Sequence, residues 1–234
     1  ITQLRSFSSM RRDFISNLSH ELRTPVSVIR ANSETLIDSA LDDKKQAKVF
    51  AKAILHNAER LTDMVSSLLD LSRIEYGELK LNFQEIDLNN FFENFISSIA
   101  NLSKKKNINI LYKPNHDGLV KGDLQAIERI MNNLIDNAIK YSDEGSDIEI
   151  STVNDEKYIK VMVADSGSGI SEEDQDHIFS RFYRTASARA TDNQGSGLGL
   201  AIVKHPVNNL NGDVGIDSKE KNGSIFWFSL PKTQ

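Results

Sequence analysis

The chain has 234 residues, of which 39% are hydrophobic, so it is long enough for two domains with at least one real core. Its formal net charge is -5 and its basic runs are short, which argues against a nucleic-acid-binding protein that neutralises phosphates. The absence of cysteine excludes disulfide bonds and thiolate metal sites. The chemistry of this chain must come from other side chains.

Two long helices are predicted for residues 1–75, joined by a short polar turn around residues 41–43. On each helix the apolar residues recur every three or four positions, which marks one buried stripe. The stripe of the first helix contains Phe7, Met10, Phe14, Leu18, Leu22, Ile29 and Leu36. The stripe of the second helix contains Ile54, Ala58, Leu61, Val65 and Leu68. One hairpin cannot bury both stripes, so we predict a four-helix bundle formed by a homodimer; a monomeric hairpin packed on the rest of the chain is the alternative.

His20 is predicted to point away from the buried stripe of the first helix. It lies two residues after Leu18, which corresponds to about 200° around a helix of 3.6 residues per turn. Pro25 lacks a backbone donor and is predicted to bend the helix one turn beyond the histidine. By itself, a helical histidine beside Glu21 is equally compatible with a solvated surface pair.

Residues 77–234 show alternating strand and helix patterns, which predicts an α/β sandwich with helices on one face of a mixed sheet. Strands are predicted at 79–83, 108–112, 148–153, 158–164 and 224–230. Helices are predicted at 88–103, 124–141 and 198–204. The stretch 185–197 is rich in small and polar residues and is too long for a passive connection, so we predict a mobile lid there.

Polar and glycine-rich segments follow one another in a definite order in the second half of the chain. Asn133, Asn137 and Lys140 form a stripe at i, i+4 and i+7 of a predicted helix. Three further segments come after it: Asp165-Ser166-Gly167-Ser168-Gly169, Phe179-Ser180-Arg181-Phe182-Tyr183-Arg184 and Gly195-Ser196-Gly197-Leu198-Gly199. A Walker-type phosphate loop is not present in the sequence. One glycine-rich loop would be weak evidence, whereas the four segments in this order are specific.

The four segments resemble the N box, first glycine box, F box and second glycine box of the ATPase superfamily that joins histidine kinases, type II topoisomerases, mismatch-repair ATPases and heat-shock chaperones. The segment 19–25, Ser-His-Glu-Leu-Arg-Thr-Pro, resembles the H box of bacterial sensor histidine kinases. This resemblance implies that His20 is the phosphoacceptor and that Glu21 orients its ring and accepts its proton. It also implies that Thr24, one helical turn later, takes part in dephosphorylation of the partner; an ordinary surface threonine is the alternative.

The same resemblance implies a site for ATP and Mg²⁺ in the second domain. Mg²⁺ would be held by the side-chain oxygens of Asn137 and Asn133. Asp165 would accept a hydrogen bond from the adenine amino group, which selects ATP over GTP. The other residues implied to bind the nucleotide are Lys140, Tyr141, Gly167, Gly169, Arg184, Gly195, Gly197, Leu198 and Gly199.

The predicted function is that of a sensor histidine kinase core, with a dimerisation and phosphotransfer hairpin at 1–76 and an ATP-binding catalytic domain at 77–234. It would transfer phosphate from His20 to an aspartate of a response regulator receiver domain, and would also act as a phosphatase toward that regulator. No nucleic-acid partner is expected. No apolar stretch is long enough to cross a bilayer, so we expect a soluble, cytoplasmic part of a membrane-anchored receptor whose sensor segment lies upstream and is absent from this chain.

Two departures from the family pattern keep other functions open. His205-Pro206 follows the second glycine box, and the proline is predicted to break or kink the helix near 202–204. Asn211-Gly212 stands where two glycines are more usual. A dimerisation scaffold with weakened catalysis is therefore one alternative. The other is a clamp-type ATPase of the same superfamily, in which Glu128 would be the base that activates water.

Overall fold

A computed structural model describes residues 2–40, 43–75, 81–104, 106–114, 118–190 and 197–233. The N-terminal part is a helical hairpin of α1 (Thr2–Thr35), a π-helical turn (Leu36–Ala40) and α2 (Lys44–Glu75). Asp43 begins α2, since its Oδ1 accepts hydrogen bonds from the amides of Lys45 and Gln46. The predicted helical hairpin is confirmed, while the turn at 41–42 and the predicted domain boundary at 76–77 lie outside the described residues.

The helix α1 continues through Pro25 to Thr35. Pro25 itself is buried, and His20 is exposed, as its position off the apolar stripe predicts. The missing backbone donor of the proline therefore does not end the helix, because the surrounding packing outweighs the loss of one hydrogen bond. Within the described residues, no helix is long and apolar enough to span a membrane.

The C-terminal part is an α/β sandwich. Its strands are β1 (Gln84–Asp87), β2 (Asn109–Lys113), β3 (Leu119–Gly122), β4 (Asp147–Asn154), β5 (Tyr158–Asp165), β6 (Val214–Ser218) and β7 (Ser224–Pro231). Its helices are α3 (Leu88–Lys104), α4 (Leu124–Tyr141), α5 (Glu172–Gln175), α6 (Ala186–Ala190) and α7 (Gly199–Asn209). Five strands form a mixed sheet in the order β2-β4-β5-β7-β6, in which β2 and β4 are parallel and the other pairs antiparallel. The strands β1 and β3 form a separate antiparallel pair. The predicted fold class is confirmed.

The helix α4 joins the core to the polar face that carries the site. Asp123 caps its first turn, because Oδ1 accepts from the Ala126 amide at 2.8 Å while Oδ2 accepts from the Asn82 amide at 2.7 Å. One face of the helix is buried against the sheet, through Ile127, Ile130, Met131, Leu134, Ile135 and Ala138. The opposite edge, with Asn133, Asn137 and Lys140, is only partly buried and faces a cavity.

Some predicted elements are wrong in their position or extent. Residues 81–83, at the end of the strand predicted at 79–83, are not in a strand, and pairing begins at Gln84. The strands β1, β3 and β6 were not predicted, and each of them has only four or five residues. The predicted lid at 185–197 contains a helical turn, α6, and residues 191–196 lie outside the described part.

Pro206 does not break α7, so the predicted break near 202–204 is wrong, while a kink at this place stays a prediction. The helix continues to Asn209, with Pro206 inside it. Pro206 and its neighbour Val207 are buried, and the carbonyl of Pro206 accepts from the Leu210 amide at 2.9 Å. Burial of this apolar segment against the core compensates for the one backbone hydrogen bond that a proline cannot make.

Candidate active site

A cavity of about 830 Å³ opens along the polar edge of α4. Its other walls are the loop after β5, residues 183–188 and the start of α7. Ten residues predicted to bind the nucleotide line it together: Asn133, Asn137, Lys140, Tyr141, Asp165, Gly167, Gly169, Arg184, Gly197 and Gly199. This volume is typical of a site that encloses a ligand of nucleotide size. The fold therefore gathers segments that are far apart in the sequence into one site.

For two of the predicted nucleotide residues the structure does not show a place in this wall. Gly195 lies outside the described residues. Leu198 is described, but its side chain is fully buried against Met64 and Ile202 and does not line the cavity. The structure thus places Leu198 in the packing between the hairpin and the second domain.

The amide of Asn133 is oriented by the helix that carries it. Its Nδ2 donates to the carbonyl of Arg129 at 2.8 Å, which leaves Oδ1 as the outward-facing atom. A Cβ atom added at Gly199 would stand 3.1 Å from this Oδ1, so the glycine keeps the space beside the oxygen open. Asn137, one turn further along, lines the same cavity. Asn133 Oδ1 therefore lies beside the N-terminus of α7, in the same cavity wall as Asn137.

Lys140 is a partly desolvated cation at the end of this edge. Burial, followed by the positive charges of Arg184 and Arg60, lowers the pKa of Lys140 to about 8, and Asp136 opposes the shift. Its Nζ lies 5.5 Å from the centre of the Tyr141 ring. A cation surrounded by other cations favours an anionic ligand, because the ligand would relieve their repulsion.

Asp165 adds a carboxylate to the wall of the cavity. Its Oδ1 accepts from the Gly167 amide at 2.8 Å. Burial raises the pKa of Asp165, and the backbone hydrogen bonds from Gly167 and Ser224 oppose that rise. A Cβ atom at Gly167 would lie 2.6 Å from the carbonyl of Tyr141, and one at Gly169, where φ is +69°, would lie 2.1 Å from that of Lys219. Both positions therefore require glycine, because only a residue without a side chain lets this loop come so close to the backbone at Tyr141 and Lys219.

The loop before α6 connects the cavity to the hairpin. Phe182 has a left-handed backbone with φ of 60°, and its amide donates to the Gly197 carbonyl at 2.8 Å. Arg184 lines the cavity, and its Nη2 donates to the carbonyl of Ala188 in α6. Phe182 packs beside a small apolar cluster formed by Met64, Leu198 and Ile202. Met64 of α2 is fully buried there, so α2 is docked directly on α7.

The predicted phosphoacceptor group lies on α1, away from the cavity wall. His20 and Thr24 are both exposed, and the Thr24 hydroxyl donates to the His20 carbonyl at 3.4 Å. Glu21 is ion-paired across the hairpin, since its Oε2 accepts from Arg60 Nη2 at 3.2 Å. The side chain of Arg60 is 17% exposed and that of Glu21 is 30% exposed, so this pair is largely shielded from water.

Sequence reasoning missed several residues of the cavity wall. Ser67 reaches it from α2, Lys106 from the segment after α3, and Lys221 from the turn between β6 and β7. None of them belongs to one of the four motif segments. The lysine run at 104–106 is visible in the sequence, but a short basic run by itself does not indicate a nucleotide site.

Comparison with known proteins follows the same division of the chain. Residues 10–77 match the His Kinase A (phospho-acceptor) domain, and residues 122–234 match the histidine kinase-, DNA gyrase B- and HSP90-like ATPase family. The fold and the site thus define an ATP-binding domain joined to a phosphoacceptor hairpin. Sensor-like histidine kinase SenX3 of Mycobacterium tuberculosis is 39% identical over 94% of this chain and 54% of its own length. Sensor histidine kinase WalK of Bacillus subtilis is 34% identical over 99% of this chain and 38% of its own length.

Solved structures show the same architecture. Histidine kinase ThkA, in complex with the response regulator protein TrrA, superposes with a TM-score of 0.79 at 27% identity, over 98% of this chain and 64% of that one. Histidine kinase AdeS of Acinetobacter baumannii gives a TM-score of 0.72 at 27% identity, over 92% of this chain and 98% of that one. The chain belongs to the sensor histidine kinase family. It spans about half the length of SenX3 and less of WalK.

Proposed function

We propose that this chain phosphorylates itself on His20 with ATP bound in the cavity, and then passes the phosphoryl group to an aspartate of a response regulator. The observation that carries the proposal is the convergence of Asn133, Asn137, Lys140 and Asp165 on one cavity, beside a hairpin that exposes a histidine. Membership of the sensor histidine kinase family supports it, as does the complex of ThkA with its response regulator.

The proposed reaction is an in-line transfer. The neutral imidazole of His20 forms a bond to the γ-phosphorus while the bond to the leaving oxygen of ADP breaks. Glu21 accepts the proton that the imidazole releases. Lys140 and Arg184 offset the negative charge that develops on the phosphoryl oxygens, and catalysis is otherwise a matter of positioning.

The donor set of the cavity fits ATP together with Mg²⁺. Asn133 Oδ1 and the side chain of Asn137 would hold the ion, which takes oxygen ligands and keeps several of its waters. When bound, Mg²⁺ supplies charge neutralisation for the phosphates. Asp165 would accept from the adenine amino group, while the carbonyl of guanine would leave the carboxylate unpaired. Tyr141, Gly167 and Gly169 would flank the base, and Gly195, Gly197 and Gly199 would lie at the phosphates.

A second copy of the chain is the partner proposed for the hairpin. Large apolar side chains remain exposed along both helices, at Ile15, Val26, Val49, Leu55, Val65 and Leu69. Surface of this kind on two long helices supports a four-helix bundle, because pairing would remove it from water. The relatives are sensor kinases, which supports the proposal that the chain is the cytoplasmic part of a membrane-anchored receptor.

Incubation with γ-labelled ATP and Mg²⁺ tests the proposed function directly. A phosphohistidine should form, and its label should be lost in acid and kept in alkali. Turnover of ATP without a phosphoenzyme would favour the clamp-type ATPase. Glu128, its proposed base, lines a neighbouring cleft beside Asp63 and does not line the nucleotide cavity. Nucleotide binding without turnover or labelling would favour the scaffold.

Thr24→Ala is expected to keep autophosphorylation and to slow the loss of phosphate from the response regulator. The hydroxyl lies one turn from His20 on the same face of α1, where it could orient a water but has no part in ATP binding. The decay of labelled regulator should be followed with each variant. Thr35→Ala, a second exposed threonine on the same helix, is the control. If the decay is the same in all three proteins, Thr24 is only a surface residue.

Nucleotide binding is expected to take up a proton above pH 8. With a pKa of about 8, Lys140 loses its charge as the pH rises, while a bound phosphate favours the charged form and raises the pKa. The affinity for ADP should therefore fall above about pH 8. Calorimetry in two buffers of different ionisation enthalpy measures the uptake, which Lys140→Met should remove. Uptake that persists in this variant would assign the proton to another group.

A further inference from the structure

The ammonium group of Lys106 is bound to the end of α4. Its Nζ donates to the carbonyls of Ile139 and Lys140 at 2.9 Å each and to that of Ser142 at 3.3 Å. The last carbonyls of a helix have no partner within the helix, so a cation placed there satisfies them and also opposes the negative end of the helix dipole. An ammonium has three donors, and all three are used here.

The main chain reinforces this attachment. The carbonyl of Lys106 accepts from the Gly145 amide at 3.2 Å, and the next side chain, Asn107, donates from Nδ2 to Glu144 Oε1 at 3.2 Å. The segment 106–107 therefore holds both the last turn of α4 and the turn that follows it. Lys106 is half-buried and lines the nucleotide cavity, so the attachment lies in the wall of the site.

The end of α4 is the part of the helix that carries Lys140 and Tyr141. The carbonyl of Tyr141 is so close to Gly167 that a Cβ there would lie 2.6 Å away. Gly167 in turn holds Asp165 through its amide, at 2.8 Å. A shift of this helix end would thus disturb the group proposed to hold phosphate and the loop proposed to hold adenine together.

We propose that Lys106 is a positioning residue for nucleotide binding, which acts by fixing the C-terminus of α4 and has no donor left for the nucleotide itself. The proposal rests on the proposed function of the cavity. It separates Lys106 from Lys140 and Arg184, two other cations of this wall, which would contact phosphate. Because Lys106 acts on both parts of the site, its loss should weaken adenosine binding as well as ADP binding.

Lys106→Met tests this with calorimetric titration of adenosine and of Mg·ADP. Both dissociation constants should rise about tenfold, because three hydrogen bonds from a charged donor are lost. Lys113→Met is the matched control, since that lysine lies on β2 and pairs with Glu149 at the surface, 66% exposed. A loss of affinity confined to ADP would show that Lys106 contacts phosphate directly, which would overturn the proposal. Affinities for both ligands equal to those of the control would also overturn it.

Amide exchange of the nucleotide-free protein separates this proposal from the function on which it rests. In Lys106→Met the amides of Ser142 and Gly145 should exchange faster than in the control, whether or not the protein is a kinase. If the wild-type chain binds no adenine nucleotide, the proposed function fails while this result still stands. If Lys106→Met does not fold, Lys106→Arg can be used instead. It should lower the affinities for adenosine and for Mg·ADP by the same factor, and by less than is expected for methionine. Unchanged exchange at both amides would overturn the attachment.

Discussion

His20→Gln is expected to abolish the phosphoryl label completely while ATP binds with unchanged affinity. The side chain is exposed on α1 and does not line the nucleotide cavity, so its removal takes away the nucleophile and leaves the binding site intact. Labelling by γ-labelled ATP and calorimetric titration of Mg·ADP measure the two effects separately. His56→Gln is the matched control, because His56 is also an exposed histidine of the hairpin and should label normally.

Glu21→Ala, in the same assay, should label slowly. The substitution removes a proton acceptor worth about 10² to 10⁴ in rate, but not the nucleophile. The product should have the stability of a phosphoramidate, labile in acid and stable in alkali. Label that survives His20→Gln would exclude His20 as the phosphoacceptor and would contradict the proposal that the hairpin carries the phosphoryl group.

Asn137→Ala is expected to reduce Mg·ATP-dependent labelling by about 10²-fold or more while the proposed dimer remains intact. Asn137 lines the cavity from α4, whereas the exposed apolar residues of the hairpin lie on α1 and α2. The loss of one oxygen ligand to Mg²⁺ should leave the phosphate charge poorly compensated. Labelling and sedimentation should be measured on the same preparation.

The control for this substitution is Asn132→Ala on the same helix. Asn132 is exposed and lines only the neighbouring cleft, so its loss should leave labelling unchanged. A similar loss in both variants would indicate damage to α4 itself. Normal labelling in Asn137→Ala would remove this residue from the metal site.

Local sequence patterns were sufficient for α4 and for the exposure of His20. The helix predicted at 124–141 is α4, and its predicted stripe of Asn133, Asn137 and Lys140 lies along the edge that faces the cavity. The offset of His20 from Leu18 was enough to predict an exposed imidazole. These features depend on the 3.6-residue period and on neighbours within one turn, and both can be read directly along the chain.

The tertiary structure decided the features that depend on distant contacts. Glu21 and Arg60 are 39 positions apart, and Lys106 and Ile139 are 33 apart, so no local pattern indicates that they meet. Pro206 shows the same limit of local sequence patterns. Its local effect predicted a helix break, but α7 continues through it, with Pro206 buried. By itself the sequence determined the helical hairpin, the nucleotide motifs and the exposed histidine, because each follows from residues close together in the chain. Only the folded chain decided which side chain binds each charge and each helix end, because those contacts form between segments that become neighbours through packing alone.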